Sequence, residues 1–129
     1  MMKNTLSIKK EYWPEVTDTP HFIVKLNYEG CKIEVDDIYF DKLDEIIVRL
    51  ETLNKERTGS VELQGGFRFN AVIEVKETGA CQFIFATESS GEFPGKLHLE
   101  GIFSINGEDS GLFINSLIKL FRDGKEFII

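Results

Sequence analysis

Apolar and polar residues alternate singly along most of this chain. Phe22, Val24, Leu26 and Tyr28 stand at every second position, against His21, Lys25 and Asn27, the period of a half-buried strand. Glu29-Gly30 turns the chain into Cys31, Ile33 and Val35, which alternate with Lys32 and Glu34, so the two runs read as a β-hairpin. The period then lengthens. Phe40, Leu43, Ile46, Ile47, Leu50 and Leu53 fall at helical spacing, with Lys42, Glu45, Arg49 and Glu56 turned away from that stripe. Asp36, Asp37, Asp41 and Asp44 crowd its start, where carboxylates cap free amides and meet the positive end of the helix dipole. Gly59 is placed to close the last turn. An amphipathic helix is therefore expected over Phe40–Leu53.

Beyond it the alternation returns. Ser60–Gln64 leads through Gly65-Gly66 into Phe67, Phe69, Ala71, Ile73 and Val75, and Glu77-Thr78-Gly79 turns into Cys81, Phe83 and Phe85. Glu88–Gly95 reads as a loop, after which Leu97, Leu99, Phe103 and Ile105 resume the pattern, with Gly101 as a bulge or a point of close approach. Near the N-terminus, Leu6 and Ile8 share a face of an edge strand over Thr5–Lys10, and Trp13 packs part of the Glu11–Pro20 loop down. Two readings stand at the C-terminal end. Asp109 or Ser110 caps a short helix carrying Phe113, Leu117, Leu120 and Phe121 inward and halted at Asp123-Gly124, or Leu112–Asn115 is a strand hairpinned on Asn106-Gly107. The helix is preferred because Leu117–Phe121 fits no period of two. Phe127–Ile129 forms a last short strand. The expected class is α+β: an antiparallel sheet of about six to seven strands packed by one long amphipathic helix and a short C-terminal one.

Composition narrows the class. A chain of 129 residues suits a single domain over 1–129, and 42 % hydrophobic with 29 % charged residues excludes disorder. Eleven phenylalanines supply the buried area that a core in so short a chain requires. Net charge is −7, from 22 acidic and 15 basic residues, which argues against contact with phosphate backbones. No apolar segment follows Met1-Met2-Lys3-Asn4-Thr5 and no run of about 18 apolar residues occurs, so a cytoplasmic protein without membrane contact is expected. Cys31 and Cys81 read as small buried hydrophobes, with a disulfide between them the open alternative.

The chemical inventory is sparse. His21 and His98 are the two histidines, both placed on strand surfaces, and no G-x-S-x-G elbow accompanies them. An enzyme would have to use His98 with a neighbouring carboxylate. The cluster Asp36, Asp37, Asp41, Asp44 and Glu45 lacks the spacing and turn glycine of a calcium loop, and the His and Cys clusters of transition-metal sites are missing. Gly65-Gly66 precedes a strand, whereas phosphate loops precede helices. No catalytic residue, metal ligand or cofactor is expected. The phenylalanine stripe suggests an alternative function, a small-ligand-binding domain with Glu88–Gly95 as its lid.

Charge points elsewhere. Between Glu29 and Glu62 lie ten acidic residues against Lys32, Lys42, Arg49, Lys55 and Arg57, so most of the excess negative charge sits on the hairpin, the helix and its flanks. An acidic docking surface speeds capture of a cationic protein. Asp37, Asp41, Asp44, Glu45 and Glu51 are its expected partner-binding residues. The chain is expected as a monomer, or as a homodimer formed by edge-strand pairing.

The order of elements carries a resemblance. A strand hairpin, the helix in FDKLDEIIVRLETL, an aromatic meander beginning VELQGGFRFNAVIEV and a short closing helix resemble the small acidic immunity proteins of bacterial polymorphic toxin systems, the WapI-like group in particular. The likeness spans roughly Phe22 to Phe121 and rests on element order and composition, so no residue roles carry over. It implies a non-enzymatic protein that binds and blocks a toxin.

Overall fold

The computed structural model describes residues 3–12, 15, 19–66, 68–89 and 97–129. In chain order the elements are β1 (Thr5–Glu11), β2 (His21–Tyr28), β3 (Cys31–Ile38), α1 (Leu43–Glu56), β4 (Gly59–Gly65), β5 (Phe69–Val75), β6 (Cys81–Ser89), β7 (Leu97–Ile105), α2 (Ser110–Asp123) and β8 (Phe127–Ile128). The α+β class and the antiparallel pairing stand as expected. The single sheet does not: the strands form two four-stranded sheets, ordered β3-β2-β1-β8 and β4-β5-β6-β7. Alternation reports which face of a strand is buried, and it is silent on which sheet the strand joins. The chain makes one meander, inserts α1, and makes a second.

Local chemistry accounts for the turns. Glu29 (φ 50°) and Gly30 (φ 81°) both take the left-handed region, the two-residue geometry whose twist matches that of the flanking strands. β1 is an inner strand, not an edge, because β8 pairs with it through Ser7↔Ile128 and Ile8↔Phe127. Glu88 and Ser89 extend β6 and do not open a loop. Trp13, Phe67 and 90–96, the rest of the expected loop, lie outside the described residues.

The helices differ from expectation at their ends. α1 starts at Leu43, and its N-cap is Lys42 at φ 56°, with no side-chain cap. Asp36 and Asp37 belong to β3, where Asp37 (φ 57°) sits in the register shift between β2 and β3. Asp44 and Glu45 do occupy the first turn, where the dipole favours them. Arg57, not Gly59, is the C-cap: its backbone N–H donates to Leu53 O at 2.8 Å. α2 is a helix, which removes the strand reading of Leu112–Asn115, and at 14 residues it equals α1 in length. Gly124 at φ 74° ends it.

The core lies where both sheets meet both helices. Phe22, Phe40 and Phe121 form one ring cluster, with centroids 5.0 to 5.7 Å apart. Phe83, Phe113 and Phe127 form another, at 5.5 to 6.3 Å. Gly101 is the expected close approach: a Cβ there would stand 2.5 Å from Tyr28 Cζ. The Tyr28 hydroxyl accepts from the Ile102 N–H at 3.1 Å and donates to Ile102 O at 3.4 Å, so a side chain from the first sheet satisfies the outer edge of β7. His21 is buried, contrary to the surface reading, because β1 places Glu11 opposite it at 3.3 Å and Tyr39 covers its ring. Both cysteines are free thiols, and burial pushes the Cys81 thiol up to about 11.

Candidate functional site

The second sheet has two faces of different character. Val61, Leu63, Phe69, Ala71, Ile73, Val75, Phe83, Phe85 and Phe103 are buried on the core side. Phe69, Phe85 and Phe103 pack on one another at 5.8 to 6.5 Å, so the phenylalanine stripe that suggested a ligand cavity is filled core. On the opposite face, strand register builds two rows across the four strands. Glu62, Val72, Ile84 and Ile102 stand side by side in one, and Gln64, Asn70, Ala86 and Glu100 in the next. Together with Tyr28 these residues line a groove of about 670 Å³. Three apolar residues thus sit in a row on the outer face, and Ile102 remains 47 % exposed. Carboxylates hold the two edge strands: Glu62 on β4 and Glu100 on β7.

A smaller concavity of about 210 Å³ lies between the start of α1 and β4, lined by Asp41, Lys42, Glu45, Ile46, Arg49, Glu62 and Gln64. The Asp41 backbone N–H donates to Gln64 O at 3.2 Å and fixes the turn against β4. Glu62 and Gln64 line both concavities, and the Gln64 amide donates to the Glu62 carboxylate at 2.9 Å. The acidic start of α1 and the outer face of the sheet therefore share one boundary.

The five expected partner-binding residues are dispersed over these surroundings. Asp41 and Glu45 come together at the small concavity. Glu45 lies 3.5 Å from Arg49, and Glu51 meets Arg122 of α2 at 2.6 Å. Asp44 is exposed on the first turn of α1. Asp37 sits apart in β3, where its carboxylate is the second cause, after desolvation, that pushes the Tyr39 phenol up. Sequence reasoning passed over Val72, Ile84, Ile102 and Glu100. A signal for them existed: Val72 and Ile84 are apolar at positions that strict alternation assigns to solvent.

His98 does have carboxylate neighbours. Its Nε2 lies 3.0 Å from Glu100 Oε1 and its Nδ1 lies 3.4 Å from Glu88 Oε1, across the β6–β7 pair. The hydrogen bond that the ring donates to the Glu100 carboxylate is the main cause that raises the imidazole above its usual value, and the charges of Glu100 and Glu88 add to it. With both nitrogens facing carboxylates, the ring is held toward the protonated form.

Among the described residues no cluster of His, Cys, Asp or Glu is arranged to hold a metal, and no helix is long and apolar enough to cross a membrane. Comparison with protein-family models, curated proteins and solved structures finds no match for this chain.

Proposed function

We propose that this chain is a non-enzymatic binding protein that captures a cationic protein partner through its acidic surface. The observation that carries the reading is the shared boundary at Glu62 and Gln64, where Asp41, Glu45 and Glu62 outnumber Lys42 and Arg49 and adjoin the sheet face that ends at Glu100. A net charge of −7 adds long-range attraction for a basic partner. A basic toxin domain is the partner class that fits both this surface and the resemblance to acidic immunity proteins.

Co-expression with the product of the adjacent upstream gene, followed by pull-down, tests it. Capture of a basic protein, weakened by salt, is the expected result. A neighbour that is no toxin and is not captured overturns the proposal. One observation favours a second reading: a groove of about 670 Å³ falls within the size range of small-molecule sites. A thermal-shift screen against metabolites separates the two, since a ligand that binds only the native state raises the melting temperature.

A further inference from the structure

We infer that the partner is seated on the outer face of β4–β7, and that the segment occupying it has an apolar centre flanked on both sides by Lys or Arg. This rests on the reading of a cationic protein partner and specifies its contact.

Three observations converge. First, the Val72–Ile84–Ile102 row is continuous in register across three neighbouring strands, and its last member is 47 % exposed. Neighbouring apolar residues on an outward sheet face gain little from one another, roughly 0.2–1 kcal/mol per cross-strand pair, and their remaining surface is available to a partner. Second, the polar residues of the groove are distributed by charge. Glu62 ends one row on β4 and Glu100 ends the other on β7, while no lysine or arginine stands in either row. Three strand spacings and a two-residue offset put the backbones of Glu62 and Glu100 about 16 Å apart. Glu100 shares His98 with Glu88, so that trio keeps a net negative charge even with the imidazole protonated, and the two edges call for cations of similar separation. Third, the edge of β7 beside the groove is closed, because Tyr28 occupies the Ile102 N–H and C=O. A partner therefore meets side chains here and cannot add a strand at Ile102.

Other occupants fit worse. A second copy of the chain, face to face, would bring Glu62 and Glu100 against their own equivalents, and like charges in contact cost several kcal/mol. An anionic lipid surface or a nucleic acid is repelled by the same carboxylates.

The test is an NMR titration of the full chain, at low salt, with three synthetic peptides. One carries two lysines on each side of a Val-Thr-Val centre; the second replaces the valines by serine at unchanged charge; the third replaces the lysines by glutamate. The expected result is that the first peptide shifts the amides of Val72, Ile84 and Ile102. Ile84→Lys should then weaken it at least about tenfold, with the serine and glutamate peptides weaker still. Ile102→Lys, at a more exposed position, provides the same readout should Ile84→Lys impair folding. Shifts confined to the start of α1, equal binding by the lysine variants, or no shift with any peptide overturn the seat. The two proposals fail separately. Capture of the neighbouring gene product that is indifferent to Ile102→Lys removes the seat and leaves the partner reading. A peptide seated in the groove while no cationic protein is captured does the reverse.

Discussion

The ring of Tyr28 fills the space that a side chain at position 101 would need. A Cβ there would also stand 2.6 Å from Phe85 Cζ, and both obstacles are rings packed edge to face at 5.2 Å with little room to retreat. Gly101→Ala should therefore destabilise the protein by about 1–3 kcal/mol, as overpacking does, read from urea unfolding at equilibrium. Tyr28→Phe keeps the ring and loses only the two hydroxyl contacts to Ile102, so its cost should be smaller, about 0.5–1.5 kcal/mol. At His98 the expected outcome is a titration. An NMR pH series should place its midpoint above the ordinary value near 6.5, and Glu100→Gln should bring it down. The folded protein holds this proton more tightly than the unfolded chain does. The resulting stabilisation is complete below the unfolded value and is lost as pH rises through the folded one. A midpoint at or below the ordinary value would contradict the bracketing by carboxylates.

Among the elements, Arg57 ties the end of α1 to the start of α2. Arg57 closes α1 in the left-handed region, and its guanidinium donates to Asn54 Oδ1 at 3.0 Å and to the buried Ser110 Oγ at 2.5 Å. That bond joins the end of one helix to the start of the other. Arg57→Ala should cost about 1–3 kcal/mol, since it removes the clamp and leaves the backbone strain at this positive φ unchanged. Arg57→Gly also loses the clamp but relieves the backbone, so it should prove the milder change in the same urea measurement. Equal losses would show that the backbone term is negligible. The apolar stripe of α1 was legible in the sequence because Ile46, Leu50 and Leu53 recur at helical spacing, and all three are buried. Its ends were not legible, because four aspartates at the start resemble caps whether or not the chain bends to use them. The β3 register shift takes Asp36 and Asp37 away from the helix.

For the whole molecule, charge is expected to act mainly on the rate of encounter. Raising ionic strength from low to about 0.5 M, where screening acts within roughly 4 Å, should slow association with a cationic partner at least about tenfold. Dissociation should change far less, because the apolar row is insensitive to screening. Stopped-flow measurement at several salt concentrations separates the two rates, and a salt-independent association rate would count against electrostatic capture. The proposed site was only half legible. Glu62 belongs to the acidic stretch that the sequence displays, while Glu100 lies 38 positions further along and joins it only through strand order. Ile84, flanked by Phe83 and Phe85, looks in the sequence like part of one apolar run.

The sequence by itself determined the period of each segment. From that followed the alternating strands, the apolar stripe of α1 and the inward phenylalanines, because each depends on neighbours a few positions away. Tertiary structure alone decided that the strands form two sheets, that β8 makes β1 an inner strand, and that Val72, Ile84 and Ile102 align between Glu62 and Glu100. Those outcomes depend on which strand lies beside which. Pairing partners are chosen by the packing of the whole core, and a period of two is compatible with many of them.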